Sequence, residues 1–175
     1  PAVAERVERV GDLAIESRAT LVDSARGKLG TVTQRVELVP GRALVRLAID
    51  VALDRPLAAG RGPTLEHYLA CRFAWNENDD VEIRRGLHGQ AVATERTLFT
   101  APHFLSLRPW RGDAPELVVL TGGLPWHLRA TPHTLDSLLL AGTGTAGRFS
   151  LALGLGTPRP AEVALALAGD APVLD

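Results

Sequence analysis

The stretch "ALVRLAIDVAL", residues 43–53, decides the fold. Val45, Leu47, Ile49, Val51 and Leu53 occupy every second position, with Arg46 and Asp50 between them. Successive side chains of a strand point to opposite faces of a sheet, so this period of two predicts a strand with one buried face. The pattern extends upstream. In "TVTQRVELV", residues 31–39, Val32, Val36 and Leu38 alternate with Thr33, Arg35 and Glu37. In "LAIESRATLV", residues 13–22, Leu13, Ile15, Ala19 and Leu21 alternate with Glu16, Arg18 and Thr20. Turn chemistry separates the three runs, as Gly27 and Gly30 in "DSARGKLG" and then the Pro40–Gly41 pair. Residues 12–54 therefore read as an antiparallel three-stranded meander.

Downstream, "DRPLAAGRGPT" (Asp54–Thr64) is the clearest loop, with two Pro and two Gly. Strand candidates follow near His67–Trp75, Val81–His88, Ala93–Phe99, Phe104–Trp110, Glu116–Thr121, Thr134–Ala141, Arg148–Gly156 and Glu162–Ala168. Short strands separated by Gly and Pro predict an all-β fold, a sandwich or a barrel. "LALGLG" and "ALALAG" each have the length of one buried strand. Val3, Val7 and Val10 are spaced for one helical face, yet residues 1–11 read equally as a strand or a flexible N-terminal segment. The expectation is one domain over residues 1–175, with the last strand and tail in 157–175. Its predicted core contains Ile15, Val36, Leu47, Ile49, Val51, Phe73, Leu107, Val119, Leu138, Leu140, Phe149 and Leu151.

A chain of 175 residues can bury a core without a covalent staple. Cys71 is the only cysteine, which excludes an intrachain disulfide and a cysteine-based zinc cluster and suits a reducing, cytoplasmic compartment. Nineteen basic and twenty acidic residues leave a formal charge of −1, no field for nucleic acid or an anionic membrane. All the basic residues but Lys28 are Arg, and they are scattered. Aromatics on strands also serve single-stranded nucleic-acid binding, but that needs a basic groove. No stretch reaches the roughly 20 apolar residues of a membrane-spanning helix, nor is there a signal-peptide core. Met is absent, so either an initiator was removed before Pro1 or the chain is a piece of a longer polypeptide.

Nucleophile motifs are missing: there is no G-x-S-x-G elbow, and Cys71 lies within the apolar alternation of "YLACRFAW", the setting of a buried structural thiol. "GTGTAG" (Gly142–Gly147) lacks the Lys and following helix of a phosphate cradle and reads as a hairpin turn. His127 and His133 fit no metal-ligand spacing, so no metal site is expected. "AWNENDDVEIRR" (Ala74–Arg85) groups Asn76, Asp79 and Asp80 behind Trp75 without the Gly and Glu of a calcium loop. It reads as a solvated turn, with sugar contact as the second reading. The most distinctive stretch is "TGGLPWHLRATPHTLDSLLL" (Thr121–Leu140). Gly122 and Gly123 turn the chain, Pro125 stiffens the exit, and Trp126, His127, Arg129, His133 and Asp136 follow. An aromatic face beside polar groups is what a pyranose needs, its C–H groups on the ring and its hydroxyls bonded from the side. A purely structural rim between strands is the competing reading.

The order "HYLACRFAWNENDDVEIRRGL", "FTAPHFLSLRPW", "LVVLTGGLPWHLRATPHTLDSLLL", "RFSLALGLG" resembles the C-terminal β-sandwich region of bacterial α-mannosidase-like proteins of glycoside hydrolase family 38. The meander at 11–53 is similar to the start of that region, so the resemblance covers about residues 11–156. It implies an antiparallel sandwich of the large mutarotase-like type, with no catalytic residue and no cofactor in this chain. In that family zinc and the nucleophilic Asp belong to a separate catalytic α/β domain. The implied role is a module that packs against that domain, in the same or a companion polypeptide, and lines its cleft for a mannose-type carbohydrate. Sugar contact would fall to Trp126, His127, Arg129, His133 and Asp136, and secondarily to Trp75, Asn76, Asp79 and Asp80. Two alternatives stand beside this reading: a free-standing carbohydrate-binding module using Trp126 with Trp75 or Trp110, and a structural subunit that docks another chain.

Overall fold

A computed structural model describes residues 2–23, 27–57, 67–110 and 114–169. β1 (Ala2–Val10), β2 (Ala14–Asp23), β3 (Gly27–Leu38) and β4 (Leu44–Leu53) form an antiparallel meander. Nine further strands follow among the described residues: β5 (Tyr68–Ala74), β6 (Val81–Leu87), β7 (Gln90–Ala93), β8 (Leu98–Thr100), β9 (Phe104–Pro109), β10 (Leu117–Leu120), β11 (Trp126–Thr131), β12 (Thr134–Ala141) and β13 (Ala146–Leu155). Among the described residues one helix, α1 (Pro160–Gly169), follows the strands. The strands make a nine-stranded sheet in the order β1-β2-β3-β4-β13-β10-β9-β6-β7 and a four-stranded sheet in the order β5-β12-β11-β8. The fold is all-β with antiparallel sheets, as the alternation predicts.

The chain divides into two compact units. The first holds the described residues up to Ala70 with Leu139–Ser150, and the second holds Cys71–Leu138 with those from Leu151 onward. In the first unit the register puts Val7, Ile15, Val36 and Leu47 on one face of the meander and Arg18, Arg35, Glu37 and Arg46 on the other. Burial of the apolar face is graded. Leu47, Ile49, Val51 and Leu53 of β4 are buried, Val36 of β3 is half-buried, and Ile15 of β2 is 51% exposed. Leu47, Ile49 and Val51 are thus core as expected, whereas Ile15 is not, because it lies toward the free edge of the sheet.

In the second unit, Phe104, Leu105, Ser106 and Leu107 of β9 are all buried, as are Val118, Val119 and Leu120 of β10. Four successive buried positions mean that both faces are covered there, which is why the run is almost wholly apolar. α1 lies against β9 and β10. A Cβ on Gly86 would come within 2.5 Å of the Phe104 ring, so the ring occupies the space that a side chain would take. β6 and β7 are joined by His88 (φ 50°) and Gly89 (φ 79°), the two left-handed residues that a tight hairpin turn needs. Leu107, Val119, Leu138 and Leu151 of the predicted core are buried, while Phe73, Leu140 and Phe149 are half-buried.

Residues 2–10 are a strand paired along β2, one of the readings left open for that segment. Three expectations are corrected. Glu162–Ala168 is helical: Pro160 fits the first helical position, where its missing N–H costs nothing, and Ala and Leu favour the helix. The single candidate Ala93–Phe99 is two strands, β7 and β8, with a link in which the Thr94 amide donates to the Ile83 carbonyl. Trp126–Thr131, absent from the strand candidates, is strand β11. The loop expected at 54–64 and the turn at 23–30 fall partly outside the described residues. Among the described residues no helix is long and apolar enough to cross a membrane.

Candidate functional site

The segment 121–141 is a turn followed by the β11–β12 hairpin. Thr121 ties the turn down: its Oγ1 donates to the Ala101 carbonyl at 3.0 Å and its amide to the His103 carbonyl. The Ala101 amide donates to the Pro125 carbonyl, and that of Gly123 to the Pro102 carbonyl. Residues 101–103 and 121–125 are thereby stitched together just before β11 begins.

Alternation along β11 turns Trp126 outward, 48% exposed, and His127 inward, fully buried. His127 Nε2 lies 3.2 Å from the Ala101 carbonyl and 3.1 Å from the Leu124 carbonyl. Both partners can only accept, so Nε2 carries the proton and Nδ1 accepts from the Ser137 hydroxyl at 2.9 Å. Phe99 stacks on the ring, with centroids 5.7 Å apart. Burial pushes the His127 pKa below its ordinary value, opposed by the two carbonyl contacts, which favour the charged form. The imidazole is a neutral cross-brace between β8, β11 and β12.

Asp136 is also fully buried, on the opposite face of β12 from Ser137. Arg72 of β5 grips it in a fork, with Nε to Oδ1 and Nη2 to Oδ2 both at 2.7 Å. This paired, charge-assisted geometry is the strong form of the interaction. Cys71, beside Arg72 in sequence, has its thiol pushed up to about 11 by burial and by the Asp136 charge. It is a poor nucleophile, as the apolar alternation around it implies.

The expected sugar-contact residues therefore do not share a face. Trp126 opens β11 (Trp126–Thr131), a strand roughly 17 Å long at strand rise, and His133 lies in the turn beyond its far end; neither His127 nor Asp136 presents an atom to solvent. Arg129 donates to the Pro132 carbonyl at 3.2 Å and closes the hairpin turn, where the His133 amide donates to Thr131 Oγ1. The Trp75 amide donates to the His133 carbonyl, so Trp75 flanks this turn. Asn76, Asp79 and Asp80 form an exposed turn closed by the Asn78 amide on Asn76 Oδ1 and the Asp79 amide on the Asn76 carbonyl. No group of three or more His, Cys, Asp or Glu among the described residues is arranged to hold a metal ion. Arg72, Ser137 and Thr121 were not singled out by the sequence. Nothing local marks Arg72, whose partner is 64 positions away.

The first unit carries a depression of about 480 Å³ on the apolar face of its sheet, lined by Val7, Leu13, Ile15, Val36, Leu38 and Val45 together with the charged Glu8, Arg9 and Asp12. Val7 is 65% exposed, and Leu13 and Leu38 are exposed as well.

No protein-family profile matches the chain. No curated protein matches it either. Among solved structures it is similar to the X-ray structure of a galactose mutarotase related enzyme from Lactobacillus acidophilus, at 10% identity and a TM-score of 0.40, over 87% of this chain and 71% of that one.

Proposed function

We propose that the chain is a non-catalytic β-sandwich module of an α-mannosidase-type glycoside hydrolase, which packs on a catalytic α/β domain and helps to wall its sugar cleft. The observation that carries this reading is the uncovered apolar face around Val7, Leu13, Ile15 and Leu38. A contiguous exposed apolar surface in a water-soluble fold marks a place where another surface sits. The resemblance over residues 11–156 supplies the kind of partner. The buried roles of His127 and Asp136 fit a module whose most distinctive segment holds its own structure, which leaves Trp126 to meet a sugar at the cleft.

The test is turnover of an aryl α-mannoside by the isolated chain with zinc supplied. None is expected, and measurable hydrolysis would overturn the reading. Tryptophan fluorescence under mannose titration is the companion measurement. Quenching that disappears in Trp126→Ala, without any catalytic partner, would replace the accessory role with that of a free-standing carbohydrate-binding module.

A further inference from the structure

β1 is the edge strand of the nine-stranded sheet, and two of its cross-strand pairs with β2 set like charges against each other. Arg6 stands directly opposite Arg18, and Glu8 directly opposite Glu16. Like charges at such positions repel. Among the described residues they are relieved by exposed contacts, Arg6 with Glu8 on its own strand and Arg18 with Glu5 at 3.7 Å. What the edge lacks is a neighbouring strand that sets an acid beside Arg6 and a base beside Glu8.

β1 itself is such a strand. Laid antiparallel on a second copy about a two-fold axis through Val7, it places Arg6 opposite Glu8 of the other copy, Glu8 opposite Arg6, and Val7 against Val7. The rows across the joint then read Arg18, Arg6, Glu8, Glu16 in one direction and the reverse in the other. Each like-charged pair gains an opposite neighbour. The bulge between Ala4 and Arg6 lies outside the three positions, Arg6, Val7 and Glu8, on which the match rests. Val7 projects to the apolar face, so the same axis brings the two troughs of Val7, Ile15 and Val36 side by side.

We infer that two copies of this chain associate through antiparallel pairing of β1 centred on Val7, continuing the sheet from one protomer into the next. Self-complementary pairing of an open edge is the isologous contact that closes a dimer.

The experiment is size-exclusion chromatography with light scattering and sedimentation velocity on the 175-residue chain over a concentration series reaching tens of micromolar. The wild type is expected to dimerise. Arg6→Glu alone, or Glu8→Arg alone, turns both symmetric contacts repulsive and weakens the dimer roughly tenfold or more. Each of these variants also removes a like-charge pair with β2, so the protomer stays folded, which far-UV circular dichroism checks. Mixing the two variants, or combining both changes in one chain, restores association. A wild type that stays monomeric would overturn the inference. So would a dimer indifferent to the charge exchanges, or variants that fail to recover on mixing.

Discussion

His127 shows how one side chain can be tied to pH without being a switch. Its folded-state pKa lies below the ordinary 6.5, with burial the larger cause. Above that value both folded and unfolded chains hold it neutral, and its contribution to stability is complete. As pH falls through 6.5 the unfolded chain takes up a proton that the folded chain refuses, so stability is lost down to the folded-state value. The slope from this one group reaches at most about 1.4 kcal/mol per pH unit. Urea unfolding of the wild type and of His127→Asn between neutral and mildly acidic pH should differ by that proton, with the variant less steep. Equal slopes would mean that folding leaves the proton affinity of His127 unchanged. The sequence offered this residue as a sugar ligand because a Trp and an Arg stand nearby. What it could not offer was the pair of carbonyls, Ala101 and Leu124, that fix the tautomer, since backbone acceptors carry no signature in composition.

The β11–β12 hairpin and the β3–β4 pair show what is legible in an element and what is not. Period-two alternation located β2, β3 and β4 and their faces, because an apolar stripe against charged residues has one interpretation on a sheet. β11 escaped because "WHLRAT" interleaves a buried His and exposed Trp and Thr, inverting the usual polar and apolar sides. α1 escaped because an Ala- and Leu-rich run reads alike as a buried strand and as a helix. Gly30 in β3 shows a constraint of another kind. It pairs with Leu53, and a Cβ there would lie 2.2 Å from the Ala52 carbonyl oxygen and 2.6 Å from the Leu53 Cα. Both obstacles are backbone, which cannot swing aside as a side chain does, so Gly30→Ala must push β3 away from β4. A loss of about 1–3 kcal/mol is expected. By contrast, at Gly41 in the β3–β4 turn nothing lies within 4 Å of the added carbon. Chemical denaturation of the Gly30 variant checks this directly, and an unchanged midpoint would show that the two strands are less closely apposed.

The first unit's sheet explains why a correct reading of pattern did not become a correct reading of burial. Alternation says which residues share a face, and Ile15, Val36 and Leu47 do share one. It does not say how much of that face is covered, which depends on what lies over it. Ile15 and Ile49 make the difference measurable, being the same residue type on the same face of the same meander, 51% and 4% exposed. Ile49→Ala should cost about 2–5 kcal/mol, since it removes buried methylene groups and leaves a cavity. Ile15→Lys should cost under about 1 kcal/mol, a surface change in a strand. The same Ile15→Lys change places a charge in the depression shared with Val7, Leu13 and Leu38. It should therefore lower the fluorescence of an uncharged apolar dye such as Nile red bound to the native chain, while the thermal midpoint holds. If Ile15→Lys unfolded the protein as Ile49→Ala weakens it, the face would be core after all, and the surface assigned to a partner would not exist.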